Sequence, residues 1–130
     1  MPATYLDSSA IVKLVIDEPE SGSLRRYLRG RGPMVSSALA RTEVLRALLL
    51  EGEPGAARGR VVLSRIDLVR VNDRILAAAG ALLPAELRPL DAIHLATALE
   101  LGHDLGHLVT YNEAMRNHAQ RLGLSPVGPG

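Results

Sequence analysis

Residues 4–16 read TYLDSSAIVKLVI, a β-rich apolar start followed by a polar turn and then by apolar residues at helical spacing. The first three residues predict a short strand. The serines predict the cap of a mostly buried helix that includes Ile11 and Val15. A strand, a polar turn and a helix in this order are typical of the start of an α/β fold.

The same alternation continues along the chain. Further strands are predicted near residues 34–35, 66–71 and 108–110, and further helices over 20–29, 36–52, 54–64, 73–83, 89–101 and 112–122. A short edge strand is expected before Pro126. Strands separated by helices form mainly parallel sheets with right-handed crossovers. The sequence therefore predicts one domain over residues 1–130, an α/β/α doubly wound sandwich with a mainly parallel central sheet.

Composition excludes several classes of protein. The chain has 130 residues, enough for one domain, and contains no cysteine, which excludes disulfides, thiolate-bound zinc and a cysteine nucleophile. The first residues lack the features of a secretory signal, and no apolar stretch approaches the about 20 residues that a membrane span needs. We therefore expect a cytoplasmic protein that does not insert into membranes.

Net charge says little about partners, because 15 basic residues balance 14 acidic ones to leave +1. The distribution is more informative. Arg25, Arg26 and Arg29 lie close together in a predicted helix, where planar guanidinium groups could contact phosphates. The alternative is that they form an ordinary solvated helix face in an arginine-rich protein.

Three carboxylates occupy positions that favour a site. In parallel sheets ligands bind at the carboxyl ends of strands, and Asp7 directly follows the first strand. Glu43 and Asp91 each share a largely apolar helix face, where an unpaired carboxylate is costly. Oxygen ligands converging in a cleft are what a hard divalent cation needs. The alternatives are that Asp7 only caps a helix and that Glu43 pairs with Arg46.

The end of the fourth strand carries two further candidates. Asn112 offers an amide oxygen and Glu113 a carboxylate, and either could complete a cation site directly or through water. Other catalytic motifs are missing, since the chain has no GxGxxG, no Walker A loop and no His-Glu-x-x-His. His103 and His107 have helical spacing in a glycine-containing loop, and His94 is interpreted as a packed or hydrogen-bonded helix residue.

Four segments, in this order, make the chain similar to the PIN-domain family over nearly its whole length, from Thr4 to about Leu124. Residues 5–10 (YLDSSA) resemble the opening motif, in which an aspartate binds metal and a small hydroxyl residue follows two positions later. Residues 36–45 resemble the second block. Residues 90–98 (LDAIHLATA) closely resemble the third and are the most specific of these signals.

Residues 108–112 (LVTYN) resemble the fourth block, with one departure. The family usually carries an aspartate two residues after the threonine, and here Asn112 stands at that position. The change removes one negative charge, which could weaken the binding of one metal or transfer the role to Glu113.

The resemblance implies a metal-dependent endoribonuclease of the kind that serves as the toxin in VapBC toxin–antitoxin pairs. It implies that Mg²⁺, or Mn²⁺ in its place, is held by the catalytic residues Asp7, Glu43 and Asp91 and activates water to hydrolyse RNA phosphodiester bonds. Groups that contact the substrate or orient the ligands would be Ser9, Thr110, Asn112 and Glu113. Further candidates, for contacts to the RNA backbone, are Arg25, Arg26 and Arg29.

The resemblance also implies partners, namely a second copy in a homodimer and a cognate VapB-type antitoxin in a hetero-oligomer. The antitoxin's C-terminal segment would occupy the active-site groove and could present an arginine to the carboxylates. Two other interpretations remain open. The first is a PIN-like module that binds RNA or antitoxin with little or no catalysis, and the second is an RNA-processing nuclease that is not a toxin.

Overall fold

A five-stranded parallel sheet with helices on both faces forms the framework of the computed structural model, which describes residues 1–130. The strands are β1 (Ala3–Leu6), β2 (Met34–Ser37), β3 (Asp67–Val69), β4 (Leu105–Val109) and β5 (Pro126–Val127). The helices are α1 (Ser8–Val15), α2 (Ser21–Leu28), α3 (Leu39–Ala47), α4 (Gly52–Leu63), α5 (Asp73–Ala81), α6 (Pro89–Glu100) and α7 (Glu113–Arg121). The predicted doubly wound α/β/α sandwich is confirmed.

The strand order β3-β2-β1-β4-β5 places a crevice in the middle of the sheet. From β1 the chain moves outward through β2 to β3, and then returns to the other side of β1 to form β4. Leu6 pairs with Val109, so β1 and β4 end side by side. Ligand sites of open α/β sheets lie outside the carboxyl ends of the strands at such a reversal. The topology therefore marks the ends of β1 and β4 as the place for a site.

The hydrophobic core has two layers, one on each face of the sheet. Successive side chains of a strand point to opposite faces, so Leu6 and Tyr5 belong to different layers. Leu6 packs with buried residues of α1 to α4, such as Ile11 and Val44. Tyr5 packs with buried residues of α6 and α7, such as Leu95. β1 is thus covered on both faces, in agreement with its four buried residues.

Several boundaries differ from the prediction. β2 continues through Ser37, so the next helix begins at Leu39 and neither Ser36 nor Ser37 is its cap. The helix predicted over 36–52 ends at Ala47, and a 3-10 turn (Leu49–Glu51) leads to Gly52, whose φ of 67° turns the chain into α4. β4 begins at Leu105 rather than at 108, because pairing with β1 extends the strand through Gly106 and His107. The edge strand includes Pro126 instead of preceding it. None of the helices has the length and apolar character needed to cross a membrane.

Candidate functional site

Asp7 lies at the switch point, directly after β1, and its carboxylate is held by three donors. Oδ1 accepts hydrogen bonds from the Ser9 hydroxyl at 2.6 Å and from the Ala10 backbone N–H at 3.0 Å. Oδ2 accepts a hydrogen bond from the Thr110 hydroxyl. The cap of α1 is therefore Asp7 and not a serine, as the alternative interpretation of Asp7 had it, and Ser8 is the first residue of the helix. The carboxylate also joins the end of β1 to the end of β4.

Burial dominates the electrostatics of Asp7, which is only 4% exposed. Desolvation raises the pKa of its carboxyl group above the usual value, and the hydrogen bonds from Ser9, Thr110 and Ala10 counteract part of this effect. No lysine or arginine forms a salt bridge with it. An ionised Asp7 is thus a buried negative charge without a cationic side chain beside it.

Glu43 projects from α3 toward the same edge of the sheet and accepts two short hydrogen bonds. Both reach Oε1, one from the Ser8 hydroxyl at 2.6 Å and one at 2.6 Å from Nε2 of His94. Partial burial alone would raise the pKa of Glu43, but the hydrogen bonds from His94 and Ser8 hold it below the usual value. The alternative partner, Arg46, forms no salt bridge with Glu43.

Asp91 lies in the first turn of α6 and is mostly covered, with 16% of its side chain exposed. Its Oδ2 lies 3.3 Å from Nε of Arg88, three residues earlier. The Arg88 side chain is 72% exposed, so this pair is weak and easily opened. Asp91 is therefore available to the site, although Arg88 holds one of its oxygens.

The residues after β4 divide between the site and the start of α7. Thr110 is fully buried, donates to Asp7 and accepts a hydrogen bond from the Asn112 backbone at 3.0 Å. The Asn112 side chain caps α7, since its oxygen accepts from the Met115 backbone at 3.0 Å. Glu113 is exposed in the first turn of the helix, where a negative charge is favourable.

The structure thus brings the predicted polar residues to one edge of the sheet without closing them into a preformed cation cage. Ser9 and Thr110 bind Asp7 directly, and Ser8, the neighbour of Asp7, binds Glu43. No three acidic or histidine side chains lie close enough together to hold one ion directly. Any cation here would complete its coordination with water.

The sequence patterns do not identify three of the residues that bond within the site. The sequence does not predict the roles of Ser8 and Tyr5, because strand and helix patterns do not show which side chains form hydrogen bonds with distant elements. The interpretation of His94 as a hydrogen-bonded helix residue is confirmed, but its partners Tyr5 and Glu43 do not follow from the sequence. The available signal is spacing, since Asp91 and His94 are three residues apart and share a helix face.

The arginines of α2 lie away from this edge. Four arginines line a cavity of about 470 Å³: Arg25, Arg29, Arg31 and Arg65. Met34, the first residue of β2, also lines it, so the cavity lies where the parallel strands begin rather than where they end. Arg26 donates to Ser23 at 3.1 Å.

Two other arginines do lie at the carboxyl edge. Arg41 is in the first turn of α3, and Arg70 directly follows β3. The ends of β2 and β3 are tied together by a 2.8 Å hydrogen bond from the Ala38 backbone to the Val69 carbonyl. Both arginines are exposed and neither forms a salt bridge. They are unpaired positive charges on the β2–β3 side of this edge, where Arg41 lines a cavity with Arg60 and Leu68.

Comparison with known proteins agrees with this geometry. The model of the PIN domain family matches residues 4–120. The chain belongs to the PIN domain family. Ribonuclease VapC46 of Mycobacterium tuberculosis is 61% identical over 129 residues, which cover 99% of each chain. Ribonuclease VapC47 of the same organism is 36% identical over 131 residues, which cover 97% of this chain and 96% of its own. The PIN domain described here therefore falls among the VapC proteins.

Solved structures show the same PIN fold. A toxin–antitoxin complex from Klebsiella pneumoniae contains a chain 25% identical to this one, with a TM-score of 0.68 over 84% of this chain and 86% of its own. The M. tuberculosis toxin VapC20, described as cleaving the sarcin–ricin loop, has a TM-score of 0.77 at 16% identity. It covers 97% of this chain and 99% of its own, and shows the likeness of fold alone.

Replacement of Asp7 by asparagine is expected to stabilise the metal-free protein at neutral pH. Because burial raises the folded-state pKa, the ionised carboxylate costs stability above that pKa and not at pH values below its unfolded pKa of about 4. Asparagine keeps an oxygen to cap α1, and its amide group would donate to the Thr110 oxygen in place of the bond that Thr110 donates to Asp7. Removal of the buried charge should therefore give Asp7→Asn a gain of about 1 kcal/mol. The gain should appear as a higher melting temperature at pH 7 and vanish toward pH 4.

Thermal unfolding in the presence of a chelator, from pH 4 to pH 8, measures this gain. Asp67→Asn is the matched control, because Asp67 is exposed at the start of β3 and should show no such pH-dependent difference. A lower melting temperature for Asp7→Asn at pH 7 would mean that the three hydrogen bonds outweigh the desolvation of the charge.

Replacement of Asn112 tests its role as a cap. Asn112→Ala should lower the free energy of unfolding by about 1 kcal/mol, whereas Asn112→Asp should change it by less than about 0.5 kcal/mol because aspartate also caps helices. Asn72→Ala is the control, since Asn72 caps α5 through Ile75 in the same way. Urea unfolding of the three variants compares the losses. A much larger loss at Asn112 than at Asn72 would contradict a role limited to capping.

Proposed function

We propose that this PIN domain is a metal-dependent endoribonuclease that acts as the toxin of a VapBC-type pair. The observation that carries the proposal is the buried Asp7 carboxylate at the switch point, held by three donors and left without a cationic side chain. Its relatives named Ribonuclease VapC46 and VapC47 support the reaction, since they are 61% and 36% identical over nearly the whole chain.

The donor set fits a hard divalent cation. Asp7, Glu43 and Asp91 offer only oxygen, and each keeps accepting capacity after its hydrogen bonds are counted. Glu43 receives both donors on Oε1, which leaves Oε2 free. Mg²⁺ usually binds through one or two carboxylates and keeps several waters, so a site without three converging side chains suits it. We assign Mg²⁺, with Mn²⁺ as a substitute, to Asp7, Glu43 and Asp91, with water between the ion and the carboxylates that do not reach it directly.

When bound, the cation would activate a water molecule and neutralise charge on the scissile phosphate. The protein's own residues supply position. Ser9 and Thr110 fix both oxygens of Asp7, so the carboxylate faces the crevice in one orientation. Arg88 would release Asp91 as the substrate and cation arrive, because their surface pair is weak. Asn112 is occupied as a cap, and Glu113 is exposed and could take part only through water.

The proposed partners follow the same comparison. The likeness to a chain of a toxin–antitoxin complex supports a cognate VapB-type antitoxin that binds this PIN domain. Homodimerisation also stays a prediction. Leu76, Leu83 and Leu90 are about half exposed or more on the face formed by α5 and α6, an apolar surface of the kind that proteins cover by association.

A second candidate is a PIN module that binds RNA or antitoxin with little or no cleavage. The replacement of the usual fourth acid by Asn112 favours it, because the oxygen of Asn112 is already used to cap α7. An RNA-processing nuclease would use the same site as a toxin. Growth arrest on expression, relieved by the product of an adjacent small gene, would separate a toxin from such a nuclease.

Cleavage of labelled structured RNA in Mg²⁺, in Mn²⁺ and in chelator tests the proposed reaction. Asp7→Asn, Glu43→Gln and Asp91→Asn should each lower the rate by roughly 100-fold or more, because each removes a charge that stabilises the transition state. Asp67→Asn is the matched control at the opposite edge of the sheet and should cleave normally. Tight RNA binding without cleavage in either metal would favour the binding module instead.

The position of the arginines predicts the path of the RNA. We expect Arg41→Gln and Arg70→Gln to weaken RNA binding and to reduce its salt dependence by about 0.7 in log–log slope for each phosphate that is no longer bound. Arg25→Gln and Arg29→Gln, which lie near the start of β2, are the comparison pair. Binding measured over a series of salt concentrations gives the slopes. If only Arg25→Gln and Arg29→Gln weaken binding, the RNA contacts the α2 arginines, as the sequence analysis predicts.

A further inference from the structure

A continuous chain of hydrogen bonds crosses the carboxyl edge of the sheet. The Tyr5 hydroxyl lies 2.7 Å from Nδ1 of His94, and Nε2 of His94 lies 2.6 Å from Oε1 of Glu43. The Ser8 hydroxyl completes the chain on the same Glu43 oxygen at 2.6 Å. These four residues come from β1, α6, α3 and α1, so the chain joins the two helical layers through the end of the sheet.

The chemistry of the partners assigns the protons. An ionised Glu43 carboxylate can only accept, so Nε2 of His94 must carry the hydrogen. In the neutral ring Nδ1 then has no hydrogen and must accept, so the Tyr5 hydroxyl is the donor to it. A tyrosine hydroxyl carries its proton at neutral pH, so Tyr5 has the hydrogen that this bond needs. Tyr5 therefore selects the tautomer of His94 that can bind Glu43.

Packing holds the ring in place while these bonds act on Glu43. His94 is 2% exposed, and its ring meets Tyr5 edge-on with 5.9 Å between the ring centroids. Both ring nitrogens are used, which simple packing of a histidine in a core does not require. Two donors on Oε1 turn the carboxylate so that Oε2 remains without a protein donor. Glu43 is thus held in one orientation with one oxygen available.

We propose that His94 is a positioning residue, which, in the tautomer selected by Tyr5, orients Glu43 so that its Oε2 serves the reaction at the crevice. The effect of His94 on the reaction rests on the proposed nuclease function. The tautomer of His94 and its contact with Glu43 do not depend on that function. Residues that orient a cation ligand commonly contribute about 10- to 100-fold to affinity or activity.

Two substitutions of His94 separate positioning from packing. The terminal nitrogen of glutamine lies the same number of bonds from Cβ as Nε2 of histidine, so His94→Gln can still donate to Glu43. His94→Asn reaches Tyr5 but is too short for Glu43. Cleavage of labelled RNA should fall about 10- to 100-fold in kcat for His94→Asn with little change in KM, and by less than about fivefold for His94→Gln.

A Glu43→Gln background tests whether His94 acts through Glu43. There, His94→Asn should cause no further loss of kcat, since the orientation of an uncharged side chain no longer matters to the reaction. Equal losses for His94→Asn and His94→Gln, or a full additional loss in the Glu43→Gln background, would overturn the proposal. Melting temperatures of all variants show whether the comparison is between folded proteins.

Nitrogen NMR of the histidine rings provides a readout that does not depend on cleavage. We expect His94, assigned by comparison with His94→Asn, to carry its proton on Nε2 in the metal-free protein, and Tyr5→Phe to disturb that preference. A proton on Nδ1 at neutral pH would overturn the proposed relay whether or not the protein cleaves RNA. Conversely, a protein with the expected tautomer that cleaves no RNA would reject the nuclease function and leave the relay in place.

Discussion

The burial of one carboxylate between two strand ends is the constraint on which this structure depends. Asp7 starts α1 as its cap, ties β1 to β4 through Thr110, and lies at the point where the strand order reverses. These structural contacts also fix the orientation of the carboxylate at the carboxyl edge of the sheet. Because the charge is desolvated and lacks a cationic side chain, the same arrangement costs stability when Asp7 is ionised. Fold and site are coupled through this single group.

The pKa of the second carboxylate, Glu43, is shifted in the opposite direction. Burial raises the pKa of Asp7, whereas hydrogen bonds from His94 and Ser8 keep the pKa of Glu43 low despite its partial burial. Acidic groups whose environments push their pKa values apart usually have different roles in a reaction. In this PIN domain burial disfavours the charged form of Asp7, whereas the donors to Glu43 stabilise and orient its charged form. The difference comes from neighbours on other helices.

Charged residues are distributed unevenly between the two ends of the sheet, which the net charge of +1 conceals. The carboxylates lie where the strands end, together with the unpaired Arg41 and Arg70, and the cavity lined by Arg25, Arg29 and neighbouring arginines lies where the strands begin. An RNA backbone is attracted by the arginines and repelled by the acids unless a cation is present. Under the proposed function, a bound cation would offset this repulsion as the RNA approaches.

The alternation of strands and helices follows from the amino-acid sequence alone, and with it the parallel sheet and the edge at which Asp7 lies. Hydrophobic periodicity within one or two turns indicates each helix and strand. The rule that ligands bind at the carboxyl ends of parallel strands then indicates the edge of the sheet that carries the site. The contacts of each acid, in contrast, depend on tertiary packing. Glu43 binds His94 and Ser8, 51 and 35 residues away, rather than its helix neighbour Arg46. Such contacts are set by how α1, α3 and α6 pack against the sheet, and local periodicity carries no information about that packing.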